Sequence, residues 1–453
     1  MSRAILAVAL LALVVFVPFL GRDYLYDWDE AWYGQVAKEL LRSGDWITLH
    51  WRGRPFFDKP PLGIWAIAAS FATFGRSEWA ARLPSVVAAV ACLFLMLWIG
   101  WLLFGRIRPA LLSAVVLGTS LPFVKAGRMA MLDVPVTAAV TLAVAAYLAA
   151  RKDRRWGVVV GLAVGIAWMI KGPVAILAIG LLVVFALWER DFGTWRTAWF
   201  PAGFLLGLAL CLPWYLAEFQ RQGEAFLAAH FGYHILARAT TVLDGHRGPW
   251  WFYLARIAML DEPWFLVLVA SLPLLWRLRH RTWVRLGVSW TMVVVVPFSV
   301  VATKLPWYVV PAYPALALLT AGALDALPLA ARRPWLPWVL VGATLAILLG
   351  FVATTLNWEE RYAPDLRPLA HAAARVPGSG ILTLARLVRP AFIYYLDHPE
   401  DRVGPKELVA RWPSVGAAVL SRRQWQELGP ALTGARVAAT TSGTVLVLGK
   451  GMR

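Results

Sequence analysis

Apolar runs about as long as a bilayer is thick recur along this chain, and they constrain its fold more than any other feature. A hydrocarbon layer roughly 30 Å thick needs about 20 apolar residues to cross it as a helix. Runs of that kind occupy roughly 4–20, 83–104, 109–125, 133–150, 156–170, 173–188, 198–214, 262–276, 286–302, 307–324 and 335–355. They are continuous rather than alternating, which favours helices over a barrel. The expected fold class is therefore a polytopic α-helical membrane protein with about eleven or more transmembrane helices. Composition agrees: 60% of the 453 residues are hydrophobic and only 15% are charged, where a soluble protein is about half apolar.

The polar connectors between these runs alternate between two sides. One side carries Arg106, Arg108, "RKDRR" (151–155), "ERDFGTWR" (189–196), "RLRHRTWVR" (277–285), Arg332 and Arg333. By the positive-inside rule that side is cytoplasmic. The formal net charge of +18 is thus a topology signal, and no nucleic-acid partner is expected. The outer side carries the long segment 21–82, "GRMAMLD" (127–133), Lys171-Gly172, the segment 215–261, "TKLPW" (303–307) and everything after 356. Cys92 and Cys211 lie inside apolar runs and read as small core residues. Arg3 followed by an apolar stretch has the look of a signal peptide, but no small-x-small site precedes Gly21-Arg22, so an uncleaved anchor is expected. Trp214, Trp250, Trp251 and Trp264 read as rings at headgroup level. From about 357 the character changes. "GILTLA", "VGAAVLS" and "VAATTSGTVLVLGK" read as strands, "DLRPLAHAAAR" and "RRQWQELGPAL" as helices. The chain divides into a membrane part, 1–356, and a small outer α/β domain, 357–453.

Ionisable residues gather on the outer side: Asp29, Glu30, Asp58, Lys59, Arg128, Asp133, Lys171, His230, His234, Arg238, His246 and Lys304. Charge near a membrane is costly, so such a collection marks a functional site. Acids beside bases suit a reaction on a phosphate-linked substrate. The stretch 30–43 has helical spacing of Trp32, Val36 and Leu40, with Gly44 as a stop, and reads as a helix lying in the interface. Asp27 with Glu30 has the pattern of a capping box. Asp29 reads equally as a first-turn acid or as a site residue. Pro60-Pro61 fixes an extended entry to a second interfacial helix and aims Asp58 and Lys59, whose other reading is a surface ion pair. His230 and His234 stand one helical turn apart, a spacing that can chelate zinc or simply serve hydrogen bonding. The span interiors are largely free of ionisable groups, which favours interfacial chemistry over a transporter or flippase of a lipid-linked anion. There is no Gly-rich phosphate loop, so no nucleotide is called for.

"DEAWYGQVAKELLRSGDW", "FFDKPPL", "RLPS", "GRMAMLDVP", "KGP", "YHILAR", "GHRGPWWFY" and "KLPWYVVPAYPALALL" occur in that order. Together, over roughly 20–320, they resemble the bacterial aminoarabinose transferases of lipid A and, more broadly, the membrane glycosyltransferases related to protein O-mannosyltransferases, the GT-C architecture. The resemblance implies inverting transfer of a sugar from a polyprenyl-phosphate (undecaprenyl-phosphate-type) donor to a periplasmic acceptor such as lipid A, another glycolipid or a protein. It implies the bacterial inner membrane, with the site facing the periplasm among membrane lipids. Asp29 matches the central catalytic carboxylate of that family. Asp133 matches the Asp before its Val-Pro, and Glu30 stands beside Asp29 as part of the catalytic set. Lys59 matches the lysine that would hold the donor phosphate. Lys171, Arg238 and Tyr308 stand where the family has phosphate-contacting or pocket-lining residues, and Tyr33, Arg128 and Lys304 complete the expected substrate-binding set. In the aminoarabinose transferases an acid before the Lys-Pro motif can pair with a His to hold a divalent ion, Zn or Mg. Here that pair would be Asp58 and His234. Asp58 is one methylene shorter than the family's Glu, and Tyr233 stands where the family has Glu. His246 is a second candidate for the His.

Overall fold

The computed structural model describes residues 1–237, 240–242, 245–354, 366–376, 381–384, 389–396, 400–441 and 443–450. Among them, seven helices are long and apolar enough to cross a membrane: Glu78–Phe104, Asp133–Ala150, Arg154–Glu189, Trp199–Tyr233, Thr282–Val300, Pro306–Ala326 and Leu336–Thr354. An eighth arises if the pair α5 (Ile107–Thr119) and α6 (Leu121–Gly127), bent by 67°, is one broken span. The chain is a multi-pass membrane protein. The distance from the eleven expected runs has physical causes. The first run folds as α1 (Ser2–Phe16), only 15 residues long. The run at 262–276 is split into Trp264–Ala270 and Leu272–Arg277. The 36-residue passage 154–189 covers two expected runs, α8 (Gly157–Lys171) and α9 (Ile176–Glu189), with Gly172 at φ +56° between them. At 1.5 Å per residue it is far longer than one crossing of about 30 Å.

The bundle packs around α7 (Asp133–Ala150), whose spanning window is 83% buried. Helices α8 and α10 (Trp199–Leu227) meet along glycines. A Cβ placed at Gly161 would lie 2.1 Å from the backbone of Gly203 and Phe204, and one at Gly165 would lie 2.6 Å from the Cα of Gly207. Without a hydrophobic drive between helices in lipid, such close backbone contact is what holds a pair together. The connectors expected on the basic side do meet one another. Arg106 pairs with Asp325 at 2.7 Å, Arg151 with Asp191 at 3.0 Å, and Arg285 with Glu189 at 3.0 Å. At the opposite end Glu30 meets Arg82, and Asp133 meets Lys171. Two of the tryptophans expected in an interfacial belt are core residues instead. Trp264 is 2% exposed and donates from Nε1 to Thr119 Oγ1. Trp214 is 8% exposed and donates to the carbonyl of Ile47. Trp250 and Trp251 are exposed.

On the site's end of the bundle lies α2 (Asp29–Ser43), closed by Gly44 at φ +70°, whose N–H bonds Leu40 O. The left-handed conformation is where glycine costs least. The expected capping box is not formed. The N-cap is Trp28 and makes no side-chain cap bond. Asp27 faces away from α2 and accepts instead from the N–H of Ala391 at 3.0 Å. Glu30 reaches back to the N–H of Tyr26. Nor does α2 present one free face, as an interfacial helix does: Tyr33, Val36, Ala37, Lys38 and Leu40 are all buried. A short hairpin, β1 (His50–Trp51) with β2 (Arg54–Pro55), turns on Arg52 and Gly53, both at positive φ, and leads to α3 (Leu62–Phe74). Beyond the last span, β3 (Ile381–Leu384), β4 (Glu400–Val403), β5 (Ala417–Ser421), β6 (Arg436–Thr441) and β7 (Thr444–Leu448) form one sheet in the order β4-β3-β5-β7-β6. The β4, β3 and β5 pairings are parallel and those of β5, β7 and β6 antiparallel. Helices Arg367–Ala374, Pro390–Leu396, Pro405–Val415 and Arg422–Leu428 accompany it. The last begins at Ser421 with a complete capping box to Gln424.

Candidate active site

Segments that are far apart in sequence converge on one cavity of about 260 Å³. From α2 come Asp29, Trp32 and Tyr33. Asp58 and Lys59 enter from the loop after β2, Lys171 from the tip of α8, Phe298 from the end of the helix Thr282–Val300, and Leu305, Trp307 and Tyr308 from the segment that follows it. Each is there for a local reason. Asp29 stands at the first position of α2, where the unpaired N–H groups favour an anion. Lys171 is the last residue of α8, where Gly172 leaves the helical region, and a cation suits a helix C-terminus. Lys59 precedes the Pro60-Pro61 step that sets α3 on its course.

The charges in and behind the cavity are arranged in layers. Asp133, 2% exposed, takes the ammonium of Lys171 on Oδ1 at 2.5 Å. Its second oxygen, Oδ2, is buried with no hydrogen-bond partner among the described residues. Asp29 and Lys59 both act on Asp133 electrostatically. Lys171 also lies 5.8 Å from the ring centroid of Tyr308. Lys59 donates to the carbonyl of Asp58 at 3.2 Å. Asp29 itself is half-buried and lines the cavity, with no hydrogen-bond or ion-pair partner among the described residues. Such a group can accept a proton or orient a hydroxyl, and two neighbouring ammonium groups can hold a phosphate.

Not every expected site residue reaches this cavity, and the reasons are geometric. Glu30 is 1% exposed and closed on all sides. Its Oε1 accepts from Arg82 Nε at 2.6 Å and Ala130 N at 2.9 Å, and its Oε2 from Tyr26 N at 2.9 Å and Arg82 Nη2 at 3.0 Å. No lone-pair direction is left for a substrate. Glu30 ties the entry of α2 to α4 (Glu78–Phe104) and to the 127–133 connection, and does not line the cavity. Arg128 does not line the cavity either. It donates to the carbonyls of Val15 and Pro18 at 2.7 and 2.6 Å, closing the end of α1. Lys304 gives its ammonium to the carbonyls of Ser299 and Val301, both at 2.8 Å, and of Phe298 at 3.4 Å. Those bonds use its three donors to close the helix Thr282–Val300, so it serves as a cap rather than a phosphate ligand. Arg238 lies outside the described residues, as does the side chain of His234.

A buried relay missed in the sequence supports the lysine loop. His230, 2% exposed, sits in the π-helical turn Ala228–Ala237 that follows α10. Its Nδ1 lies 2.7 Å from the carbonyl of Phe57, and its Nε2 lies 3.3 Å from the Tyr215 hydroxyl. The indole of Trp168 donates to that hydroxyl at 3.0 Å. A carbonyl can only accept and an indole can only donate, so the direction is forced: Trp168 to Tyr215, Tyr215 to Nε2, and Nδ1–H to Phe57. Both ring nitrogens of His230 are committed, which leaves none for a metal. Among the described residues no group of three or more His, Cys, Asp or Glu is placed to hold a metal ion. The expected pairing of Asp58 with His234 for Zn or Mg falls outside the described residues, because the side chain of His234 does. His246 is exposed, and its carbonyl accepts from the N–H of Lys304. The only sequence signal for the relay was a histidine in an apolar surround, which does not reveal its partner.

Comparison with known proteins adds three findings. The family model described as "Dolichyl-phosphate-mannose-protein mannosyltransferase" matches residues 58–216. In sequence the chain is 32% identical over 321 residues to "Undecaprenyl phosphate-alpha-4-amino-4-deoxy-L-arabinose arabinosyl transferase" of Pseudomonas paraeruginosa, covering 69% of this chain and 58% of the relative. It is 31% identical over 329 residues to the protein of that name from Edwardsiella ictaluri, covering 70% and 58%. The chain thus matches a little under three fifths of the length of these relatives. In fold it is similar to the crystal structure of ArnT from Cupriavidus metallidurans bound to undecaprenyl phosphate, with a TM-score of 0.85 and 24% identity over 98% of this chain and 97% of the other. It is also similar to the mycobacterial arabinofuranosyltransferase AftD, with a TM-score of 0.61 and 14% identity over 99% and 40%. At those identities the structural likenesses establish a shared fold.

Proposed function

From the premise that this chain resembles the undecaprenyl phosphate-aminoarabinose arabinosyl transferases in sequence and shares their fold, we propose that it is a membrane glycosyltransferase. Its donor is a sugar on a polyprenyl phosphate of the undecaprenyl type. Its acceptor is lipid A or another glycolipid at the periplasmic surface of a bacterial inner membrane. The basic connectors that pair with one another face the cytoplasm, and the cavity with the sheet-bearing residues beyond 356 faces the periplasm.

The observation that carries this reading is the cavity lined by Asp29, Lys59 and Lys171, in which Asp29 has no hydrogen-bond or ion-pair partner among the described residues. In the proposed reaction an acceptor oxygen attacks the anomeric carbon from the side opposite the phosphate. The bond between that carbon and the phosphate oxygen breaks, and the polyprenyl phosphate leaves with the electron pair, so configuration inverts. Lys59 and Lys171 neutralise the leaving phosphate, while Asp133 holds Lys171 in place. When the acceptor is a hydroxyl, Asp29 takes its proton. When it is a phosphate, little deprotonation is needed and Asp29 stabilises positive charge at the sugar. Tyr33, Trp32 and Tyr308 form walls against which a sugar ring can rest.

The test is mass spectrometry of outer-surface glycolipids from cells with wild-type protein, with no protein, and with Asp29→Asn. A sugar-sized mass present only with the wild type supports the proposal. The same mass with Asp29→Asn at wild-type protein levels rejects it.

A further inference from the structure

We propose that the helix Pro390–Leu396, contributed by the sheet-bearing C-terminal residues, positions the catalytic carboxylate Asp29, with Asp27 and Tyr395 as the positioning residues. The inference rests on the reading of Asp29 given above and assigns a role to a part of the chain that reading leaves idle.

The link that leads into Asp29 is strained. Trp28, the residue directly before Asp29, has φ 72° and ψ −125°. That region belongs to glycine; a side chain there costs on the order of 1–3 kcal/mol and persists only when its surroundings over-determine it. The side chain of Trp28 is 61% exposed, its ring 6.5 Å between centroids from that of Trp32, and such a contact supplies only a small part of that restraint. The restraint comes from its two sides. Downstream, Glu30 is locked by Arg82 and the N–H of Ala130. Upstream, the chain is gripped by Pro390–Leu396. Asp27 accepts from Ala391 N–H at 3.0 Å and lies 3.5 Å from Arg389 Nη1. Tyr395 takes the N–H of Leu25 on its hydroxyl oxygen at 2.8 Å and donates to Glu78 Oε1 at 3.0 Å. On the same helix Tyr394 receives the buried ammonium of Lys38 on its carbonyl at 2.6 Å, which fixes the flank of α2. Burial raises the Asp27 carboxyl above its ordinary value, opposed by the Ala391 N–H and by Arg389; a solvated surface contact does not carry that signature.

Asp29 therefore sits one residue beyond a strained link clamped at both ends, and the upstream clamp belongs to residues more than 360 positions away. Releasing that clamp lets Trp28 relax to ordinary backbone angles and swings Asp29 away from Lys59 and Lys171. A displacement of about 1 Å at a reacting group can cost roughly 100-fold in rate.

The experiment measures sugar transfer by purified full-length protein, with kcat and KM for a polyprenyl-phosphate sugar, for Asp27→Ala, Asp27→Asn, Tyr395→Phe and Asp29→Asn. Asp27→Ala and Tyr395→Phe are expected to lower kcat by about 10- to 100-fold with KM for the donor within about twofold. Asp27→Asn keeps an oxygen for Ala391 N–H and is expected to stay near wild type. The decisive arm adds Trp28→Gly to Asp27→Ala. Glycine tolerates the conformation without the clamp, so at least half of the lost kcat should return. An ordinary loss of domain docking has no reason to respond to that second change. Wild-type kcat in Asp27→Ala and Tyr395→Phe beside an inactive Asp29→Asn overturns the positioning role alone. A loss in Asp27→Ala that neither Asn nor the added Trp28→Gly repairs overturns it too. An active Asp29→Asn overturns the underlying functional reading instead.

Discussion

Asp29 and Glu30 are neighbours on the first turn of α2, yet their carboxylates meet opposite surroundings. Glu30 belongs to a closed node. Arg82, Tyr26 and Ala130 supply four donors, and the carboxylate is 1% exposed. Asp29 belongs to an open cavity, where ammonium groups stand nearby and none is bonded to it among the described residues. The helix turns about 100° per residue, so adjacent side chains are delivered to different places. The closed node is suited to holding the fold; the open one keeps its bonding capacity for something that arrives.

That contrast can be broken most sharply at its centre. Asp29→Asn should lower kcat by about 10³-fold, within the range a positioned proton acceptor contributes, and leave thermal unfolding in detergent unchanged. A variant that unfolds early instead would place Asp29 with Glu30. The neighbouring change, Glu30→Gln, should do the reverse. Removing one member of a buried ion pair costs about 3–5 kcal/mol, so the yield of folded protein and its unfolding temperature should fall, while the surviving protein keeps its KM for the donor. Within the open region, Lys59→Met should raise donor KM by about 10- to 100-fold, the loss of one charge-assisted bond. Titrating the variant with polyprenyl phosphate as an inhibitor checks the same contact without turnover. The smallest effect is expected at Lys304→Met. Losing a helix-end cation should cost about 1 kcal/mol of stability with donor KM unchanged. A tenfold rise in KM there would return Lys304 to the cavity.

These contrasts mark how far the sequence could be read. The apolar runs, the basic connectors and the α/β character of the C-terminal residues were legible because each is a repeated pattern. Asp29, Tyr33, Asp58, Lys59, Lys171 and Tyr308 were named from sequence, and all line the one cavity. Glu30, Arg128 and Lys304 carried the same outward signature, charge at a span end. What separates them is the partner each finds: a guanidinium, two carbonyls at and just past the end of α1, three carbonyls of a helix end. Those of Lys304 are local, at Phe298, Ser299 and Val301, but depend on how the helix end closes; for Glu30 and Arg128 those partners lie more than 50 residues away and leave no local trace. The same holds for His230, whose acceptor is the backbone of Phe57, and for Tyr395, whose ring chemistry says nothing of Leu25. The bend at Ser120 and the divided helices near 262–277 escaped notice because hydropathy averages over a break.

The glycine contact between α8 and α10 has a consequence at the far end of α8. Gly161 touches the Gly203 backbone with no side chain between them, so any side chain added there must push the two helices apart. Lys171 lies ten residues further along the same rod, roughly 15 Å at the helical rise. The seam therefore acts as the zero mark of a ruler whose other end is an ammonium. A bulkier residue deep in the bilayer would be read out as a misplaced charge at the water's edge, and a screen for lost activity should find such changes far from any substrate.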